Sequence, residues 1–371
     1  MDAISFFAAD AGPDQLYLTA RTDGGGAAAA EDACARAASA LDSRGMRILS
    51  ERAFGTLDFH ADYARIRGNH RAFGRGPFSY IEGAPVRGGG LSGIQIHAVG
   101  PASDEDYSIL YDGRRPCGAV WRRHDAAWVH LAGIRGADGG SRGDQAASMF
   151  EAMERILASA SADCRSVVRT WISLDGILDW YGTFNRVRTE KFRSCGLLPA
   201  PGEGPGPTPA RLPASTAIGG RNPAGAACCL DALAVSGAVR ASVLEGSSQP
   251  PASSYGSAFS RGIRFCEKGC RRVFVSGTAA IGPDGRSLHP GDAEAQMRTT
   301  LEVVGLLIAG QGGRLEDIVS ATVYLKRAGD RSVFDTLAGR LGLTSLPAVF
   351  IVADICRDEL LFEMDAVAVI R

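Results

Sequence analysis

Hydrophobic positions along the chain repeat with a long period. Trp128-Val-His-Leu-Ala-Gly133 and Arg272-Val-Phe-Val-Ser-Gly277 are both apolar runs that end in glycine, as strands closing on a turn do. After the first, Asp144-Gln145 opens a pattern with Met149, Met153, Ile156 and Leu157 on one helical face. After the second, Gln296 opens its counterpart with Met297, Leu301, Val304 and Ile308. Each then leads into a β-branched strand, Val167-Val-Arg-Thr-Trp-Ile172 or Ile318-Val-Ser-Ala-Thr-Val-Tyr324, and into a second helix starting near Gly176 or Arg331. Each closes on a nearly matching strand, Leu230-Asp-Ala-Leu-Ala-Val235 or Met364-Asp-Ala-Val-Ala-Val369. The unit is therefore strand, helix, strand, helix, strand, strand. The fold class expected is α+β, with helices covering one face of a mixed sheet in each of two tandem copies.

Breaks in this pattern divide the chain. Gly24-Gly-Gly-Ala-Ala-Ala-Ala30 is read as a low-complexity loop, and Gly88-Gly-Gly90 precedes Ile94-Gln-Ile-His-Ala-Val99. Pro- and Gly-dense stretches follow at 199–213 and 246–254. The expected organisation is an N-terminal extension of strands and loops over 1–90, a first module over 91–236, a linker over 237–254 and a second module over 255–371.

The two copies differ at one position that matters chemically. Cys229 precedes Leu230 in the first, whereas Glu363 precedes Met364 in the second, so a carboxylate stands inside an apolar strand in one copy alone. Strand alternation leaves two placements open for Glu363, a solvent edge or a pocket.

Bulk properties narrow the field. With 371 residues and 45% hydrophobic content, two domains of similar size are the default. Forty basic residues against forty-one acidic ones, with no clustered Lys/Arg face, argue against nucleic acid and membrane surfaces as partners. An acid in the start Met-Asp-Ala-Ile-Ser-Phe-Phe and the lack of an eighteen-residue apolar run lead to an expectation of a cytoplasmic protein. Nine irregularly spaced cysteines fit reduced thiols. Cys266 and Cys270 have no second ligand pair at suitable distance, and no HxH or HExxH grouping occurs, so no metal site is expected.

From about Arg271 to Ile370 the chain resembles the Rid family of reactive-intermediate deaminases. The resemblance rests on Ser276-Gly-Thr278, Gly291-Asp292 leading into Gln296, the segment from Gly313 to Leu325, Pro347, and the closing Glu-Met-Asp-Ala-Val-Ala-Val. It implies two Rid-like modules in tandem. Rid enzymes hold a substrate carboxylate with an arginine just after that proline, and here the run is Pro347-Ala-Val-Phe350.

A duplicated chain with an N-terminal extension is similar instead to the chorismatases, whose fold is related. That resemblance is carried by Arg169-Thr-Trp171, Tyr181-Gly-Thr-Phe-Asn-Arg-Val-Arg188, Leu212-Pro-Ala-Ser-Thr-Ala-Ile-Gly219, Tyr255-Gly-Ser-Ala-Phe-Ser-Arg-Gly262, Ser276-Gly-Thr-Ala279, and Ala353-Asp-x-Cys-Arg357 with Glu363. It implies an enzyme that cleaves the enolpyruvyl ether of chorismate to release pyruvate, without metal or organic cofactor. Glu363 matches the family's catalytic glutamate, acting as general acid and base: an enol ether opens when its methylene carbon is protonated, and a desolvated carboxylic acid can supply that proton near neutral pH.

Chorismate is a dianion, so Arg188 and Arg261 are the residues expected to hold its carboxylates. Tyr181 and Tyr255 supply hydroxyl contacts or pack. Members that form 3-hydroxybenzoate resemble this chain in a cysteine seven residues before the glutamate, here Cys356, and in a small pocket glycine placed at Gly262. The expected products are thus pyruvate and 3-hydroxybenzoate. The alternatives are hydrolysis to a dihydroxycyclohexadiene carboxylate, formation of 4-hydroxybenzoate, a Rid-type enamine or imine deaminase, and a non-catalytic small-molecule binding protein. Rid-like modules associate as trimers with pockets between neighbours, which makes a homo-oligomer a further expectation.

Overall fold

The computed structural model describes residues 4–74, 76–101, 103–199, 211–237, 239–244, 249–252, 256–267 and 269–371. It contains the two expected units and a third. In the first sheet, β1 (Ser5–Asp10) and β2 (Gln15–Gly25) form a hairpin, followed by α1 (Ala27–Asp42), β3 (Arg47–Gly55), α2 (His60–Gly68), β4 (Ser79–Glu82) and β5 (Leu91–Val99). The second sheet holds β6 (Tyr107–Asp112), β7 (Arg115–Arg123), β8 (Ala126–Ile134), α3 (Arg142–Ser159), β9 (Val167–Leu174), α4 (Ile177–Ser194), β10 (Ala214–Gly219) and β11 (Cys228–Gly237). The third runs through β12 (Ala241–Val243), β13 (Gly262–Glu267), β14 (Cys270–Ala279), α5 (Ala293–Ala309), β15 (Ile318–Leu325), α6 (Asp330–Arg340), β16 (Ala348–Val352) and β17 (Phe362–Ile370).

The sheet orders are β1-β2-β5-β3-β4, β6-β7-β8-β11-β9-β10 and β12-β13-β14-β17-β15-β16. From the hairpin strand inward they are the same arrangement. In each, one parallel pair (β3 with β4, β9 with β10, β15 with β16) sits beside a closing strand that is antiparallel to both of its neighbours. The N-terminal stretch read as an extension is thus a complete unit. The boundary at 90 falls just before β5, which pairs with β2 and β3 and belongs to the first sheet. The linker contributes β12, an edge strand on β13.

The run 24–30, read as a loop, is also corrected. β2 extends to Gly25, and the alanines begin α1, where Ala29 and Ala30 are buried. Four alanines in a row carry the strongest helix propensity of any residue, and small size lets this helix lie close on its sheet.

Alternation along each closing strand sends one set of side chains to the helices and the other to the neighbouring sheets. In β17, Phe362, Met364, Ala366, Ala368 and Ile370 join the core under α5 and α6. Val367 and Val369 instead meet Leu233 and Val235 of β11, Tyr17 of β2 and Val99 of β5, in a core shared by all three sheets. The last strand of each unit packs on the hairpin strand of the next: β4 on β8, β10 on β14, β16 on β2. The chain therefore closes into a ring of three units. Among the described residues no helix is long and apolar enough to cross a membrane.

Candidate active site

Glu363 lies on the inner face of β17, opposite Ala279 of β14 and Tyr324 of β15. It is only 5% exposed, which decides between the two placements left open by alternation: the carboxyl faces a cavity of about 180 Å3 between the second and third units. The second unit supplies Tyr181, Asn185 and Arg188 from α4 and Ser215 from β10. The third supplies Arg261, Gly277 from β14, and Cys356 and Arg357 from the segment before β17.

Burial pushes the Glu363 carboxyl up to about 8. The nearby charge of Asp365 adds to this, and the guanidinium groups of Arg169 and Arg261 oppose it. Asp365 follows two residues later on the same face and is already engaged. It lies 3.4 Å from Nη2 of Arg169 and accepts a 2.7 Å hydrogen bond from the Tyr324 hydroxyl. Two carboxylates thus share one wall, one ion-paired and the other poised as a neutral acid at pH 7.

The space around Glu363 is set by a glycine. A Cβ built on Gly277 would lie 2.1 Å from Oε1 of Glu363 and 3.0 Å from Cγ2 of Thr216. The Gly277 backbone N–H donates to Oγ1 of Thr216 at 3.0 Å, and Arg169 donates to the same oxygen at 2.5 Å. Ser215 N donates to Oγ of Ser276 at 2.9 Å, so β10 of one unit is pinned to β14 of the next immediately beside the acid.

Arg188 is 1% exposed and rests on neutral oxygens. Its Nη2 donates to Oδ1 of Asn185 at 2.6 Å and its Nη1 to Oγ of Ser215 at 3.3 Å, while Nε has no partner among the described residues. The guanidinium lies over the rings of Phe184 and Phe259, each at 5.4 Å. Among the described residues it has no carboxylate within ion-pair distance. A buried guanidinium without an anion calls for one. Arg261 donates to the Pro250 carbonyl at 3.1 and 3.2 Å and shares the Phe259 ring at 5.6 Å.

Two further groups face Glu363. Burial raises the Tyr181 hydroxyl to about 12, with Cys356 and Glu363 adding to the rise; Arg188 and a hydrogen bond with Ser257 oppose it. The Cys356 thiol is likewise raised by burial, then by Glu363, to about 12, so it stands as a neutral group. Its segment is held at both ends. Asp354 O accepts from Gly219 N at 2.7 Å, and Gln296 bridges Glu359 O and Leu361 N at 2.9 and 2.8 Å.

The family model for Endoribonuclease L-PSP matches residues 255–370. A 3-hydroxybenzoate synthase of Streptomyces hygroscopicus is 28% identical over 247 residues, covering 59% of this chain and 66% of the synthase, just under two thirds of its length. A RutC family protein of Pyrococcus abyssi is 29% identical over 97 residues, which cover 26% of this chain and 76% of that protein. A solved chorismatase structure superposes with a TM-score of 0.62 at 19% identity, covering 87% of this chain and 93% of the other. The shared architecture runs through nearly the whole ring. The chain is a chorismatase-like protein in its fold.

In this chorismatase-like chain Glu363, Arg188, Arg261, Tyr181 and Cys356 converge on one cavity. Tyr255 lies outside the described residues. Gly262 is a correction: it does not line the cavity, because a Cβ there would point to Leu244, at 2.5 Å, and to the Phe274 carbonyl, at 2.6 Å. Alternation along β13 separates it from its neighbour Arg261, and the pocket glycine is Gly277. Ser215, Thr216, Arg357 and Gly277 all stand inside runs that carried the resemblance, yet no role was read for them. The signal available was the tight Ser276-Gly277 strand end, where glycine marks close approach.

The position after Pro347 is also reassigned. By register, Val349 pairs with Thr322 as Thr216 pairs with Trp171. Val349 packs on the third unit's other neighbour, against Gly93, and the register-equivalent residue of the second unit is Thr216, whose Oγ1 accepts from Gly277 N beside Glu363. As for metal ligands, the cluster found among the described residues is Glu154, Cys164 and Cys195. Lys191 pairs with its carboxylate, and it is remote from this cavity.

Proposed function

We propose that this chain is a chorismatase, cleaving the enolpyruvyl ether of chorismate to pyruvate and 3-hydroxybenzoate with Glu363 as general acid and then base. One observation carries the reading: a buried carboxyl with its proton held to about pH 8 faces a cavity that also holds the anion-seeking Arg188. The name of the S. hygroscopicus relative points the same way.

In the proposed reaction, Arg188 and Arg261 take the two carboxylates of the substrate and turn its enolpyruvyl methylene toward Glu363. Proton transfer from Glu363 to that carbon turns it into a methyl group and places positive charge on the ether carbon. The ring carbon–oxygen bond of the ether then breaks, so that the ether oxygen leaves as the ketone of pyruvate. The neighbouring ring hydroxyl closes onto the vacated ring carbon and gives its proton back to the Glu363 carboxylate, and the ring isomerises to 3-hydroxybenzoate by shift of its own hydrogen. Pyruvate and 3-hydroxybenzoate together contain all the atoms of chorismate, so no water is consumed; hydrolysis to a dihydroxycyclohexadiene carboxylate would add one. A neutral, space-filling Cys356 beside the acid favours the route without water, by leaving less room for it.

A Rid-type deaminase is disfavoured, because Val349 stands where the arginine that holds the substrate carboxylate would be, and its register-equivalent in the second unit is Thr216, not an arginine. The pocket draws its walls from two units of a single chain, so this reading requires no second copy. The test is to incubate purified protein with chorismate, follow pyruvate through lactate dehydrogenase, and separate the aromatic product by chromatography. The expected outcome is one pyruvate per 3-hydroxybenzoate. A deaminating enzyme would release ammonia from an enamine instead, and a binding protein would release nothing.

A further inference from the structure

The ring repeats the Glu363 position twice. By register, Asp365 on Thr322 corresponds to Asp231 on Trp171 and to Gln95 on Arg52, so Glu363 corresponds to Cys229 and to Gly93. Between the third and first units Val349 occupies the space over Gly93; a Cβ there would lie 2.8 Å from Val349 Cγ2. Between the first and second units a cavity of about 700 Å3 does open, with Cys229 at its base.

Its chemistry is that of an anion site. Arg67, Arg114, Arg115 and Arg135 all line it, and among the described residues no carboxylate does. Arg67 is fixed in place by Glu51, which accepts from Nε at 2.8 Å through both oxygens, and by a 2.8 Å bond from Nη2 to the Gly76 carbonyl. Arg115 donates to the Gly133 carbonyl at 2.9 Å and lies 3.8 Å from the Asp112 carboxylate outside the cavity lining. Among the described residues Arg114 and Arg135 have no acidic group within ion-pair distance, and clustered guanidinium groups on low-dielectric walls concentrate anions. Asp231, beneath Cys229, is already consumed by Ser79 Oγ at 2.5 Å, Gly133 N at 2.7 Å and Arg52 at 3.4 Å. The remaining wall is aromatic: Phe78 and Tyr80 line it, His60 meets Tyr80 edge-on at 5.1 Å, and Tyr111 is 52% exposed at the rim.

We propose that this pocket is a second, non-catalytic site for a small cyclic carboxylate, held by Arg114, Arg115 and Arg135 with its ring against Phe78 and Tyr80. The volume suits such a ligand, and planar carboxylates match the arginine fork. Cys229 offers no acid where Glu363 stands in the other pocket, so the ligand is bound and not cleaved.

The test is equilibrium dialysis of the full chain with 3-hydroxybenzoate as probe, comparing wild type with the Arg114→Glu/Arg135→Glu variant and the milder Arg135→Gln. The double variant should bind one equivalent fewer than wild type with an unchanged thermal melt, Arg135→Gln should weaken that equivalent about tenfold, and equimolar inorganic phosphate should leave it bound. The number read is the equivalent lost on charge reversal, so it reports on this pocket whatever the Glu363 pocket cleaves. Equal stoichiometry in wild type and both variants would overturn the proposal, as would displacement by phosphate.

Discussion

Two pockets of this ring are built from the same positions and differ in what those positions hold. At the second interface, Glu363 is enclosed in about 180 Å3 with Arg188 buried beside it; at the first, Cys229 sits at the base of about 700 Å3 among four arginines. The third interface, Val349 on Gly93, is filled. One backbone arrangement thus serves as an acid pocket, an anion pocket and a packed joint. The lesson is that the fold supplies neighbouring walls three times, while desolvation of a single carboxyl makes one of them capable of proton transfer.

That contrast can be broken most sharply at the acid itself. Glu363→Gln keeps the shape of the side chain and removes its proton, and pyruvate release from chorismate should fall by about 10²- to 10⁴-fold with the fold intact by circular dichroism. Next comes Gly277→Ala, whose methyl would intrude on Oε1 of Glu363; displacing the acid by about 1 Å should cost about 10²-fold in kcat.

Arg188→Gln leaves Asn185 and Ser215 in place and removes the cation, so KM for chorismate should rise about 10- to 100-fold with a smaller change in kcat. The pH profile follows from the raised carboxyl. Glu363 must be protonated to act, so kcat/KM should fall above pH of about 8, in proportion to the protonated fraction. Stability carries the same sign: between the ordinary value of 4.5 and about 8 the folded chain keeps a proton that the unfolded chain has lost. Glu363 therefore lowers stability as pH rises through that window, and Glu363→Gln should flatten the dependence of Tm on pH there. The smallest effect expected is for Cys356→Ala, which should leave the pyruvate rate nearly unchanged while raising the share of hydrolysis product seen by chromatography.

Much of this was legible in the chain because two copies had kept their pattern. β11 and β17 share Asp-Ala-x-Ala-Val, and the helices under them keep the same apolar face. The N-terminal unit did not show as a third copy because Gln95 and His97 replace the Asp and apolar residues of the closing strand, while Ala-rich α1 lacks the bulky stripe that marks a helix. Ile94-x-Ile-x-Ala-Val99 still carried the alternation.

Glu363 could be singled out because it broke a repeat. Arg188 was legible only through the family resemblance and Ser215 was not, since both reach the acid from the preceding unit and no periodicity encodes which sheet edge meets which. Gly262 was misplaced for a related reason. A one-residue step along β13 turns a side chain from the pocket to the core, and motif spacing does not resolve that step.

The central claim is that Glu363 protonates the methylene carbon of the enolpyruvyl group. The direct measurement is cleavage of chorismate in D2O with lactate dehydrogenase and NADH present to trap pyruvate, followed by mass and NMR analysis of the lactate. One deuterium on the methyl carbon is predicted for the wild-type protein, with Glu363→Gln making no such lactate above background. Lactate without methyl deuterium, or the same rate of labelled product from Glu363→Gln, would contradict it.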